Sequence, residues 1–167
     1  MRALRYGVLS ACLFSCSWAL AERDDFNKNY AWEPEKRWEE SQVTPPAWPQ
    51  DGDWQSFYTA VTVKNTVSIA LPTLQVADDK VVRYVLKISS PEGAENVSFQ
   101  GLRCETGEFK LYAIGRPAEK TWSPTRNSEW KRLQPGHYAQ VALARDYLCE
   151  DKRASPIENM VKALKSR

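Results

Sequence analysis

Arginine and tryptophan side chains recur together in the second half of the chain. Arg103 stands in a strand-like segment; Trp122, Arg126 and Trp130 follow in "TWSPTRNSEWKR", and His137 comes shortly after them. Two indoles that flank an arginine suit a cation–π stack or an anion cradle, and Arg and Trp dominate binding hot spots. Alternatively, the indoles anchor a long irregular loop to the core. We favour anchoring, because such loops need contacts to be ordered, and keep the five residues as a binding-site hypothesis.

His137 is the single histidine, which limits the chemistry available to the chain. A metal site needs three or four ligands, and one histidine with oxidised cysteines does not supply them unless carboxylates are recruited. Neither a G-x-S-x-G motif nor a glycine-rich phosphate loop is present. We therefore expect no catalytic residue, metal or cofactor. The alternative is an enzyme that uses His137 beside an Arg/Trp anion site.

Cysteine spacing indicates a structural disulfide. Cys104 and Cys149 are the two cysteines outside the N-terminal apolar segment. An even pair in an exported protein predicts a disulfide bond. A redox-active pair usually has C-x-x-C spacing, so we favour the structural role.

The N-terminus resembles an export signal. "MRALRYGVLSACLFSCSWALA" has two arginines, an apolar run and an A-x-A site that ends at Ala21. Residues 1–21 are therefore predicted to be a signal peptide, too short for a membrane span, and no later segment is long enough for one. The alternative is a lipoprotein signal, "LFSC", in which Cys16 is acylated and anchors the protein to a membrane.

Charge argues against a nucleic-acid partner. The chain has 23 Lys and Arg against 21 Asp and Glu, and removal of residues 1–21 takes away Arg2 and Arg5, which leaves equal numbers. A nucleic-acid binder normally carries a basic surplus. Residues 22–54 are acidic and the remainder is basic, which indicates a solvated acidic arm or an arm that lies on a basic body.

Residues 22–55 form the predicted acidic, Trp- and Pro-rich arm, and residues 56–167 the predicted domain. The arm contains Trp32, Trp38, Trp48 and Trp54 among prolines that exclude a continuous helix. Disordered tails are poor in aromatic residues, so we expect part of the arm to dock on the domain. We expect Trp48 and Trp54 to be better buried than Trp32 and Trp38.

From Phe57 onwards the apolar period is two. "VSIALPTLQV" predicts two short strands divided at Pro72, and "VVRYVLKI" places Val82, Tyr84, Leu86 and Ile88 on one face. In "NVSFQGLRCE", a bulge at Gly101 would bring Val97 and Phe99 to the same face as Leu102 and Cys104. Phe109, Leu111 and Ala113 would then alternate inward on the next strand.

Two helices are predicted after this meander. "YAQVALARDYLC" has a helical apolar face and ends at Cys149, and "SPIENMVKALKSR" predicts a capping box at Ser155 with an apolar stripe of Ile157, Met160, Val161 and Leu164. The fold class is therefore α+β, a single domain in which a mostly antiparallel sheet is covered by two C-terminal helices.

The segment "NVSFQGLRCE", followed by "KLYAIGR" and by the "PPAWPQ…FY" stretch of the arm, resembles the cryptic neisserial protein-like family of proteobacterial exported proteins. The resemblance implies a periplasmic location or one at the outer membrane. It implies no activity and no functional residues, since that family is uncharacterised. We expect a non-catalytic binding or structural module of the cell envelope whose partner is an envelope protein or a cell-wall component.

Overall fold

A computed structural model describes residues 37–166 of the protein. The predicted signal peptide, Cys16 and the first part of the arm with Trp32 lie outside these residues. No helix within residues 37–166 is long and apolar enough to cross a bilayer.

An antiparallel sheet forms the body of the domain. Its strands are β1 (Trp54–Ser56), β2 (Thr66–Ala70), β3 (Gln75–Val76), β4 (Val81–Ser89), β5 (Glu95–Arg103), β6 (Glu108–Arg116), β7 (Thr121–Pro124) and β8 (Lys131–Arg132). Six of them follow the order β1-β2-β4-β5-β6-β7. The short strand β3 pairs with β4 next to β2, and β8 pairs with β6 next to β7. This arrangement confirms the predicted meander and the division at Pro72, which lies in the 3-10 turn Leu71–Thr73 between β2 and β3.

Two short helices follow the sheet. Helix α1 (Tyr138–Ala142) continues into a π-helical turn (Leu143–Leu148), and α2 (Ile157–Lys165) lies near the C-terminus. Between them, β9 (Cys149–Glu150) and β10 (Arg153–Ala154) form a hairpin. The predicted α+β class is confirmed. The capping box is not: Pro156 occupies the cap, no side chain caps the helix, and the N–H of Ser155 instead bonds to Leu148 O.

The helices cover one face of the sheet. Val82, Tyr84 and Leu86 of β4 pack with Leu143, Leu148, Met160 and Leu164, all nearly inaccessible to solvent. Cys104 and Cys149 are bonded, as predicted, and tie the end of β5 to the start of β9. The two cysteines are 45 positions apart in the sequence, and the bond contributes about 4 kcal/mol to stability in the chain-entropy model.

The opposite face of the sheet is also buried, and the sequence analysis missed this. Val97 and Phe99 pack here with Val85 and Ala113, whereas Leu102 and Cys104 lie on the helix face. The expected bulge at Gly101 was wrong, since β5 pairs with β4 in regular register. Instead the register of β5 and β6 shifts at Tyr112, so Ala113 faces away from Phe109. With both faces covered, a regular strand can bury alternate residues on opposite sides.

Residues 37–50, here called the strap, cover this second face without forming regular secondary structure. Val43 and Trp48 of the strap pack against the cluster around Phe99. The strap lies within the predicted arm, but the arm as a whole, residues 22–55, stays a prediction. Strand β1 begins at Trp54, inside the range predicted for the arm.

Candidate functional site

Aromatic contacts fix one end of the strap. The indole of Trp48 lies 4.9 Å from that of Trp122, and Trp122 Nε1 donates a hydrogen bond to Pro46 O at 2.8 Å. A Cβ on Gly115 would lie 2.8 Å from Trp48 Cη2, so the absent side chain is what lets the indole approach β6. Trp122 therefore anchors the strap, and its role in ligand binding stays a prediction.

A polar cluster fixes the other end of the strap, at Glu40. Its carboxylate accepts hydrogen bonds from Lys110 Nζ and Tyr112 Oη, each at 2.7 Å, and from Trp130 Nε1 at 3.4 Å. Partial burial alone would raise the pKa of Glu40, but these donors outweigh it and hold the pKa below its ordinary value. Burial, together with the nearby carboxylate, raises the pKa of Tyr112, so its phenol is a permanent donor at neutral pH.

Beside this cluster, Asp79 and Arg83 form a buried ion pair. Arg83 Nη2 lies 2.6 Å from Asp79 Oδ2, and both side chains are almost fully shielded from solvent. The backbone N–H groups of Ser41 and Val81 donate to the same carboxylate. Burial alone would raise the pKa of Asp79, yet the hydrogen bonds from Arg83 and the two amides keep it below its ordinary value. The pair thus binds the strap backbone to the start of β4.

Trp38 joins the strap to a cavity. Its Nε1 donates to Asp79 O at 2.9 Å, and the guanidinium carbon of Arg103 lies 3.7 Å from the centroid of its ring. Trp130 meets the edge of the same indole, with ring centroids 5.8 Å apart. Trp38, Trp48 and Trp54 are all half-buried, so the expectation that Trp38 is looser than the other two stays a prediction.

The cavity beside Trp38 has a volume of about 730 Å³. The disulfide, the turn before β4, the β9–β10 hairpin and the start of α2 complete its wall. A second cavity of about 850 Å³ is lined by α1 and shares Cys104, Asp151 and Lys152 with the first. The first has the chemistry of a binding site, because it combines an arginine-stacked indole, charged rim residues and apolar surface.

The five residues of the binding-site hypothesis are not brought into one site. Arg103 and Trp130 meet, with the guanidinium 5.7 Å from the indole centroid. Arg126 is exposed in the loop after β7, and within residues 37–166 its side chain forms no ion pair. His137 lies at the start of α1, where its ring contacts Phe109 at 4.8 Å and Nδ1 accepts a hydrogen bond from Gln134 N.

Sequence reasoning missed Glu40, Asp79, Arg83, Lys110 and Tyr112. One signal was available: Arg83 interrupts the apolar run "VVRYVL", where a charge must find a buried partner. The other four lie in segments whose composition is ordinary for turns, strands or an exposed arm. No group of three or more His, Cys, Asp or Glu side chains within residues 37–166 is arranged to hold a metal ion.

Residues 33–165 match the profile of the CNP1-like family. This chain belongs to the CNP1-like family. It is 26% identical over 129 residues to cryptic neisserial protein 1 of Neisseria gonorrhoeae (strain ATCC 700825 / FA 1090), a stretch that spans 68% of this chain and 64% of that protein. No solved structure gives a significant match. The resemblance seen in the sequence is thus confirmed, and the family is one of uncharacterised proteins.

Proposed function

We propose that this CNP1-like protein is an exported, non-catalytic binding module of the bacterial cell envelope, and that the cavity beside Trp38 is its binding site. The observation that carries the proposal is the stack of Trp38 on Arg103 at the cavity wall. A tryptophan held by the strap and an arginine held by the sheet together fix a rigid aromatic surface, which is the kind of anchor that binding sites use.

Three observations support an exported binding module over a nucleic-acid binder or an enzyme. The disulfide suits an oxidising compartment such as the periplasm. The N-terminal signal and the near-neutral processed chain favour an envelope component over nucleic acid as the partner. His137 is engaged in local packing with Phe109 and Gln134, which favours binding over catalysis.

A thermal-shift screen against cell-wall fragments and envelope lipids tests the binding function. Ile157 lines the cavity and is 43% exposed, whereas Ile114 on β6 is 49% exposed and lies outside it. A ligand that stabilises the protein should lose its effect on the Ile157→Ser variant and keep it on Ile114→Ser. If the ligand still stabilises both variants, or if both variants lose the effect equally, the binding site lies elsewhere.

Two further measurements test the location and the absence of catalysis. Mass spectrometry of protein from its native cell should find a chain that begins at Glu22; a diacylglyceryl group on Cys16 would instead assign it to a membrane surface.

His137→Ala should be neutral wherever deletion of the protein has a phenotype. A defect equal to deletion, with normal abundance, would favour the enzyme.

A further inference from the structure

We infer that the cavity beside Trp38 takes a phosphate-bearing ligand with an apolar or ring-containing portion. This inference rests on the proposed binding function and adds the chemical class of the ligand. Two parts of the wall support it: a positively charged rim on two turns and an apolar surface beside it.

The charge of the cavity wall is unbalanced towards the positive. Its basic side chains are Lys80, Arg103, Lys152 and Arg153, and its acidic ones are Asp79, Glu105 and Asp151. Asp79 is taken up by Arg83, with which it forms the buried pair, so it does not neutralise the rim. Arg103 is paired with Glu108 at 3.3 Å but keeps further N–H groups. A group with more than one negative charge, such as phosphate, matches a cavity wall with several cations better than a single carboxylate does.

The rim lysines stand where the backbone favours glycine. Lys80 has φ 64° in the turn between β3 and β4, and Asp151 and Lys152 have φ 47° and 61° in the two-residue loop of the β9–β10 hairpin. Such loops usually carry Asn-Gly or Asp-Gly, because Asn, Asp and Gly tolerate the left-handed conformation, which is unfavourable for lysine. At the cavity, both turns place a charged residue in this unfavourable conformation. Unfavourable backbone conformations of this kind cluster at ligand-binding positions.

An apolar surface adjoins the charged rim. It is formed by the indole of Trp38, by Val76 and by Ile157, the first residue of α2. Ile157 was expected to be part of the buried stripe of that helix, yet it is 43% exposed. A ligand with a ring or acyl portion beside its phosphate would cover this surface, whereas inorganic phosphate would leave it in water.

Matched probes distinguish the contribution of the phosphate group to binding from that of the apolar portion. We would measure binding to the complete processed chain by calorimetry with phenyl phosphate, inorganic phosphate and phenol. Phenyl phosphate should bind more tightly than either of the others, and added salt should weaken its binding. Sedimentation with phosphatidylglycerol and phosphatidylcholine vesicles then distinguishes the source, since association with the anionic vesicles indicates a lipid headgroup and its absence a soluble ligand.

A matched control keeps the test independent of folding. Lys120 also has a left-handed backbone, with φ 51°, but lies in the turn between β6 and β7 outside the cavity. Replacing Lys80 and Lys152 by glycine should raise the Kd for phenyl phosphate about tenfold, which corresponds to about 1.4 kcal/mol. Lys120→Gly should leave the Kd unchanged. Because glycine adopts positive φ without steric cost, each substitution relieves backbone strain, and the melting temperatures of the variants should equal or exceed that of the unmodified protein.

The results distinguish failure of this inference from failure of the proposed function. If phenyl phosphate and anionic vesicles do not bind, or if the Lys80/Lys152 and Lys120 variants bind alike, the phosphate class is wrong. The binding function would still stand if another envelope component lost its affinity in Ile157→Ser. If no component binds at this cavity, both proposals are overturned.

Discussion

At the scale of single residues, Glu40 fixes the strap to the sheet. Three donors from β6 and the loop before β8 converge on its carboxylate, and Trp130, one of those donors, also contacts Trp38 at the cavity wall. Glu40 thus links two clusters that the chain places far apart in sequence. The ordering of the strap near the cavity therefore depends on this partly buried carboxylate together with the contacts of Trp38 and Ser41 to Asp79.

We expect Glu40→Gln to destabilise the protein. Glutamine retains one acceptor but loses the charge that Lys110 faces and presents an NH₂ group to other donors, which costs about 1–3 kcal/mol. The free energy of unfolding, measured by urea denaturation, should fall by this amount. The neighbouring exposed Glu39 supplies the control, and Glu39→Gln should have an effect near zero. Equal effects of the two substitutions would contradict the role of Glu40.

The same carboxylate predicts a pH dependence. The pKa values of Glu40 and Asp79 lie below their ordinary values of 4.5 and 3.8 in the folded state. The unfolded chain therefore binds more protons in this range, so the stabilisation is complete above the ordinary pKa and is lost as pH falls through the folded pKa. Melting temperature measured against pH should fall below about pH 4.5, and it should fall less steeply in Glu40→Gln. An unchanged acid slope in that variant would contradict the assignment.

At the scale of secondary-structure elements, β6 makes room for the strap. Its register shift turns Tyr112 towards the strap, and Gly101 on β5 leaves the space that the Tyr112 ring fills, since a Cβ there would lie 2.6 Å from its hydroxyl. Gly115 leaves the corresponding space for Trp48. The sheet is thus shaped on its second face to accept aromatic side chains.

Gly115→Ala should therefore loosen the strap. The added methyl group would meet Trp48 at 2.8 Å and Val97 Cβ at 2.9 Å, and such overpacking costs about 1–3 kcal/mol. Trp48 must move, and the hydrogen bond from Trp122 Nε1 to Pro46 O should weaken with it. Faster exchange of the Trp122 indole proton, measured by NMR, would report this change. Gly136→Ala, which has nothing within 4 Å of its new Cβ, should leave that exchange rate unchanged.

Strand β4 shows how much of the fold its sequence pattern could predict. The alternation in β4 predicted its helix-facing side chains correctly, because period two follows from the pleat of any strand. It could not show that Arg83 and Val85, on the other side, are buried as well. That burial depends on the strap, which contacts the sheet through side chains and has no apolar period of its own. The bulge at Gly101 was expected for the same reason: only one face of the sheet was assumed to be buried, so all four apolar residues of β5 were assigned to it.

At the scale of the whole molecule, the sheet is a middle layer between the helices and the strap. The helix side is closed by the larger apolar cluster, whereas the strap side combines a small apolar cluster with the buried Asp79–Arg83 pair. Arg83 Nε has no hydrogen-bond partner within the described residues, so one buried donor on the strap side of the sheet is left without an acceptor. Polar contacts of this kind fix one arrangement, because a displaced strap would separate Glu40 from Lys110 and Tyr112 and would withdraw the Ser41 N–H from the Asp79 carboxylate.

Removal of the strap should therefore destabilise the domain rather than release a passive tail. A chain that begins at Asp51 keeps β1 but loses Trp38, Glu40 and Trp48, and so uncovers Phe99 and the Asp79–Arg83 pair. We expect a lower melting temperature and increased binding of an apolar dye. A chain that begins at Arg37 retains every contact described for the strap and serves as the control. Equal melting temperatures and equal dye binding for the two truncated chains would mean that the strap contributes no stability, and its tryptophans would then need a partner outside this chain.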